Sequence, residues 1–140
     1  MLPHVCASAN YNRLQSAYRL AHSTETALLK ILNYVCQSSG SKNVTLLAAL
    51  DISAAFDTVD ITTIDRRLEH SFGVTGATRR WIKSYLSNRA QFVKVGKARS
   101  LPETCSFGVP HGSVFGPLLF TLYVAPLANV ITSFGVEFHQ

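Results

Sequence analysis

Apolar and polar positions first fall into a helical period between His22 and Gln37, where Leu28, Ile31, Leu32 and Val35 form one stripe. Ser23 stands where an N-cap is needed, and Glu25 suits the positive end of the helix dipole. A polar turn, Ser38 to Lys42, follows. Val44 to Leu50 is a continuous apolar run closed by Asp51, the pattern of a buried strand. Residues 52–67 predict a helix broken near Asp60, and Leu68 to Gly73 closes it. Thr78 to Leu86 predicts a short helix with Trp81, Ile82, Tyr85 and Leu86 on its apolar side. Strands are predicted at Gln91–Val95 and Glu103–Val109, the first followed by a turn at Gly96-Lys97. A Gly- and Pro-rich loop, residues 110–117, leads into an apolar stretch, Leu118 to Ile131, that Pro126 must kink or break. Helices mixed with short strands give an α+β class, and 140 residues make one domain at most.

Hydrophobic residues make up 47% and charged residues 15% of the chain, which argues against wholesale disorder. The net charge of +5 is unevenly placed. No Asp or Glu lies between Glu69 and Glu103, an interval that holds Arg79, Arg80, Lys83, Arg89, Lys94, Lys97 and Arg99, seven of the 13 Lys and Arg. Such a block attracts phosphates without regard to sequence, or is simply a solvated basic face. Cys6, Cys36 and Cys105 are far apart and form no Cys-x-x-Cys pair, so neither zinc nor a disulfide framework is suggested. A reducing intracellular setting, nucleus or cytoplasm, fits them. Met1 to Asn10 lacks the basic start and apolar run of a signal peptide. Val114 to Val136 contains no charge and is long enough to span a bilayer, but its prolines, Gly116 and Asn129 favour a buried core helix, and no membrane partner is expected.

Two segments carry candidate chemistry. In Leu50 to Asp57, a carboxylate stands where a buried strand meets solvent, which suits a Mg²⁺ ligand. The simpler reading makes Asp51 the N-cap of the next helix, with Asp57 and Asp60 solvated. In Phe107 to Pro117, Gly108, Gly112 and Gly116 recur at a spacing of four, with two prolines, Pro110 and Pro117. Glycine lets a backbone or ligand approach closely, and exposed N–H groups can meet a phosphate. The segment is neither a P-loop nor a dinucleotide fingerprint.

Taken in order and about 57 residues apart, the two segments resemble consecutive motifs of non-LTR (LINE-type) reverse transcriptases. Leu50 to Asp60 resembles the first catalytic motif. Phe107 to Leu119 resembles the next, usually written S-x-G-V-P-Q-G-S-x-L-G-P-L-L-F. Gln15 to Arg19 with His22 to Glu25 resembles the fingers segment Q-x-G-F-R-x-x-x-S-T, and Trp81 to Leu86 with Arg89 matches the linker of these elements. The likeness runs from about Gln15 to Gln140 and leaves residues 1–14 as a poorly defined N-terminal stretch.

The resemblance implies a partial polymerase palm, an antiparallel sheet backed by helices, with part of the fingers. It implies RNA-directed DNA polymerase chemistry, in which two Mg²⁺ ions serve nucleotidyl transfer from dNTP to a DNA primer on an RNA template. Asp51 would be the catalytic metal ligand. Phe56 would lie under the incoming sugar, and Gly108, Pro110, His111 and Gly112 would position template and nucleotide. Arg19 would contact template or triphosphate. His111 replaces the family's Gln, Phe115 its Leu, and Ala17 and Leu20 alter the fingers segment. No Asp-Asp pair occurs, so the family's Ala-Asp-Asp motif is expected just past Gln140, and this chain alone is expected to be inactive. Two other readings remain. One is a non-catalytic nucleic-acid-binding remnant that uses residues 79–99, with Trp81, Tyr85 and Phe92 either core or stacking surfaces. The other is a membrane protein spanning at Val114 to Val136.

Overall fold

The computed structural model describes residues 2–140. Its core is built by three helices, α3 (Ile61–His70), α4 (Gly76–Leu86) and α5 (Phe115–Val124), with α3 packed against both others. Ile64 and Leu68 of α3, Ile82 and Leu86 of α4, and Leu118, Leu119 and Leu122 of α5 meet in one buried cluster. Loop residues Val59, Phe72, Val74 and Val109 close it, and Val5 and Tyr11 join it from the N-terminal stretch around α1 (Leu2–Cys6).

Asp60, not Asp51, caps the helix that follows the first motif. Its Oδ1 accepts from the Thr63 N–H at 2.7 Å, so α3 starts nine residues later than a cap at Asp51 requires. The expected helix over 52–67 therefore exists only in its second half, and residues 53–58 are turns. Gly73, at φ +63°, ends the helix region, with the Val74 N–H reaching back to the Leu68 carbonyl at 2.8 Å. Helix α4 is tied to α3 by charge. Arg79 forks onto Asp65 at 2.8 and 2.9 Å and also meets Glu69, and Lys83 lies 3.8 Å from Asp65. The Arg79 hydrogen bonds hold the Asp65 carboxyl below its ordinary range. Two of the seven cations in the basic block are thus already neutralised.

Between α4 and the second motif the chain forms a two-tier ribbon. Strands β1 (Arg89–Gln91) and β4 (Glu103–Cys105) pair antiparallel with Gln91 opposite Glu103. Strands β2 (Lys94–Val95) and β3 (Ala98–Arg99) form the outer tier with Lys94 opposite Arg99. The expected strand over 103–109 is shorter, since beyond Cys105 it keeps one bridge, Phe107 to Asp60. Helices and small antiparallel sheets together match the α+β class.

Before the first motif one expectation holds and one fails. Helix α2 (Thr24–Gly40) forms with a reciprocal cap between Ser23 and Thr26, yet none of its residues is buried. The run Val44 to Leu50 is not a strand. It is irregular and exposed, with Leu46 93% and Val44 98% accessible. A strand needs neighbours for its backbone hydrogen bonds, and among the described residues nothing pairs with this one.

The C-terminal apolar stretch breaks at Ala125-Pro126 into α5 and α6 (Leu127–Ser133), as Pro126 requires. Phe115–Ser133 is 19 residues of mean hydropathy 1.5, enough by length and composition to cross a membrane. In this fold α5 supplies the fully buried Leu119 and Leu122 of the core.

Candidate functional site

The turn at 54–59 and the loop at 107–113, some fifty residues apart in sequence, are bound together by their backbones. The Gly108 N–H donates to the Val59 carbonyl and the Val109 N–H to the Phe56 carbonyl, each at 2.8 Å. This contact depends on glycine. Gly108 sits at φ +80°, and a Cβ there would lie 3.0 Å from the Phe56 carbonyl oxygen and 3.1 Å from the Asp57 Cα. Arg89 secures the other side of the loop, donating to the carbonyls of Leu86, Phe107 and Gly108. Beyond Pro110 the chain turns through Gly112, at φ +69°, and Ser113 fixes the turn. Its hydroxyl donates to the Pro110 carbonyl at 2.7 Å and accepts from the Gly116 N–H at 2.9 Å. The loop thus delivers directly into the first turn of α5.

Side chains add a second layer. His111 Nε2 lies 2.7 Å from Asp57 Oδ1, with both side chains largely exposed. The imidazole also meets the Phe56 ring edge-on, centroids 6.0 Å apart, and Phe56 makes a second edge contact with Phe120 of α5 at 5.5 Å. The half-buried Phe56 ring is therefore fixed from two sides, with its motif joined to both the glycine loop and α5.

Of the residues singled out in the sequence, Phe56, Gly108, Pro110, His111 and Gly112 come together here. Asp51 and Arg19 do not join them. Asp51 is exposed in irregular backbone. Arg19 donates to the Arg13 carbonyl at 3.0 Å and sits 5.9 Å from the Tyr11 ring centroid. Among the described residues no three His, Cys, Asp or Glu side chains gather to hold a metal. A single exposed carboxylate does not make a Mg²⁺ site, so the residues present do not fit the ion pair that the resemblance implies. Sequence reasoning missed the Asp57–His111 pair and the hold of Arg89 on the loop. The departure of His111 from the family's Gln was the one available signal for the first.

Of the aromatics in the basic block, Tyr85 packs half-buried against the core, while Trp81 and Phe92 do not join it. Trp81 is 51% and Phe92 45% exposed. Trp81 stacks on Tyr85 at 5.5 Å with planes 8° apart, and Phe115 leans against both. The inward face of α4 is Ile82 and Leu86, with Tyr85 half-buried at its margin.

The family model described as reverse transcriptase (RNA-dependent DNA polymerase) matches residues 2–139. The chain is 30% identical over 118 residues to the probable RNA-directed DNA polymerase from transposon BS of Drosophila melanogaster, covering 81% of the chain and 12% of that protein. It is 29% identical over 122 residues to the RNA-directed DNA polymerase from mobile element jockey of the same fly, covering 82% and 12%. With the polymerase from its transposon X-element it shares 32% identity over 114 residues, covering 78% and 12%. The chain thus spans about 12% of the length of these relatives.

Proposed function

This chain belongs to the reverse transcriptase (RNA-dependent DNA polymerase) family, and from that premise we propose that it is a piece of the RNA-directed DNA polymerase of a non-LTR mobile element. The piece comprises part of the palm with part of the fingers, and it acts inside the cell, in nucleus or cytoplasm, on an RNA template, a DNA primer and dNTPs. The observation that carries this reading is the backbone docking of the 107–113 loop on the 54–59 turn. Two motifs that the polymerase needs at one nucleotide are thereby held at one place.

In this reading Phe56 forms the floor under the incoming sugar, stiffened by Phe120 and His111. The turn at Gly112 is exposed beside it, free to meet template or nucleotide. Asp51 would supply one metal-binding carboxylate, and among the described residues no others gather to complete a Mg²⁺ site. In the intact family the ions supply activation of the primer hydroxyl and charge neutralisation at the triphosphate.

The test is a chimera in which residues 15–140 replace the matching segment of the jockey polymerase. Templated dNTP incorporation on RNA that Asp51→Ala abolishes supports the reading. A soluble chimera without incorporation refutes it. The 140-residue chain alone should give no extension, because one carboxylate cannot hold two ions; extension lost in Asp51→Ala would overturn that.

A further inference from the structure

The seven cations between Arg79 and Arg99 divide in the fold into a tied set and a free set. Arg79 and Lys83 meet the acids of α3, and Arg89 is spent on backbone carbonyls. Lys94, Lys97 and Arg99 lie together on the outer tier of the ribbon, where every residue from 90 to 104 is exposed. Arg80 stays exposed on α4.

The outer tier contains an arrangement that costs stability. Lys94 and Arg99 are direct cross-strand partners and so project from the same face. Like charges directly opposite repel, and no acid occurs from residue 70 to 102 to relieve them. The nearest acid in the ribbon, Glu103, is on the inner tier opposite Gln91. The ladder nevertheless continues inward through Val93 and Ser100, whose N–H reaches the Val93 carbonyl at 2.9 Å. Phe92, two residues before Lys94, shares its face. The Arg99 guanidinium lies over that ring, 3.4 Å from its centroid, which holds the cation in place without neutralising it.

We propose that this face of the outer ribbon, Phe92, Lys94 and Arg99 with Lys97 at the turn, is a contact surface for the backbone phosphates of a nucleic-acid strand. The charge geometry calls for a polyanion, since closely spaced phosphates relieve the cross-strand repulsion and release counterions. The choice of nucleic acid among polyanions rests on the polymerase reading above. Lys and Arg contacts to phosphate carry no base information, so binding is blind to sequence. Phe92 is a positioning residue that presets Arg99.

The experiment titrates the full chain into a fluorescein-labelled 20-nucleotide RNA of mixed sequence and follows anisotropy across a KCl series. The wild type should bind at low salt and weaken steeply as salt rises. Lys94→Gln with Arg99→Gln should lower the magnitude of the log–log salt slope by about 1.4, at roughly 0.7 per lost contact to a single strand. Phe92→Leu should weaken binding about two- to five-fold with the slope kept, the worth of an exposed cation–π contact. Arg66→Gln, an exposed α3 cation, should change neither. Lys94→Glu converts the repelling pair into an attracting one. It should weaken RNA binding while slowing amide exchange at Ser100, a combination that a misfolded variant would not give. An unchanged slope in the double variant overturns the proposal, as does absence of wild-type binding or an equal loss in Arg66→Gln. Ribbon-dependent binding to anionic phosphatidylserine vesicles in preference to RNA also overturns it, in favour of a membrane surface. An inactive chimera with a normal ribbon slope would sink only the polymerase reading, and an active chimera with a flat slope only this one.

Discussion

Two regions of this chain both carry apolar stripes and meet opposite fates. Helices α3, α4 and α5 bury their apolar stripes against one another, and Leu68, Leu119 and Leu122 are wholly inaccessible. Helix α2 and the run from Val44 to Ile52 leave theirs in solvent, with Leu29 66%, Leu47 66% and Leu50 85% exposed. The difference shows which elements can exist alone. A helix satisfies its backbone internally, so a 17-residue α2 capped by Ser23 forms although only its Ala27, Ile31, Tyr34 and Val35 side is half-covered. A strand borrows its hydrogen bonds from neighbours. Val44 to Leu50 has a strand's composition, but without a neighbouring strand among the described residues it has no regular structure.

The largest expected effect separates the two regions directly. Leu119→Ala removes a fully buried side chain where α3 and α5 meet, and should cost about 2–5 kcal/mol in urea denaturation. Leu46→Ala removes the same atoms from a side chain 93% exposed, and should cost less than about 0.5 kcal/mol. Similar losses at both positions would break the comparison, because they would place Leu46 in a core.

A smaller effect sharpens what holds the two motifs together. Gly108 and Gly112 both have positive φ, but only at Gly108 would a Cβ strike neighbouring backbone. Gly112→Ala should cost about 1–2 kcal/mol, the strain of a left-handed residue. Gly108→Ala carries that strain and must also push the 54–59 turn away from the loop, so it should cost about 1–3 kcal/mol beyond Gly112→Ala. Equal costs, measured by the same denaturation, would mean that the loop does not depend on close approach at Gly108.

How much of this was legible depended on the range of the interaction. The Ser23 cap, the Pro126 break and the inward Ile82 and Leu86 are set by residues within a turn or two, and the sequence displays them. Asp60 outcompeted Asp51 as a cap because Val59 is wholly buried, which anchors the chain into the core one residue before the helix begins. The local pattern shows a break near Asp60, but not which carboxylate becomes the cap. The Asp57–His111 pair spans 54 positions, and only folding brings its members within 2.7 Å. Trp81 was misread for a different reason. The apolar arc of α4 is wider than the strip that α3 and α5 cover, so periodicity assigned four residues to a face where the fold buries two.

The smallest effect on stability comes with the largest effect on behaviour in solution. The segment Val44 to Leu50 is an uncharged, apolar window with no proline, exposed to solvent as are Leu28, Leu29 and Leu32 of α2. Such windows seed edge-to-edge association between chains. Leu46→Lys with Leu50→Lys places two charges on it. Because both side chains are already solvated, the unfolding free energy should move by no more than about 0.5 kcal/mol. The concentration at which the chain stays monomeric in analytical ultracentrifugation should rise several-fold. If the double variant instead loses on the order of 2 kcal/mol or more per leucine, the cost of taking a buried apolar side chain out of a core, then the run is packed in solution against a partner. That outcome would move the boundary between the two regions to before Val44, and the exposed carboxylate of Asp51 would then stand at the end of a true strand.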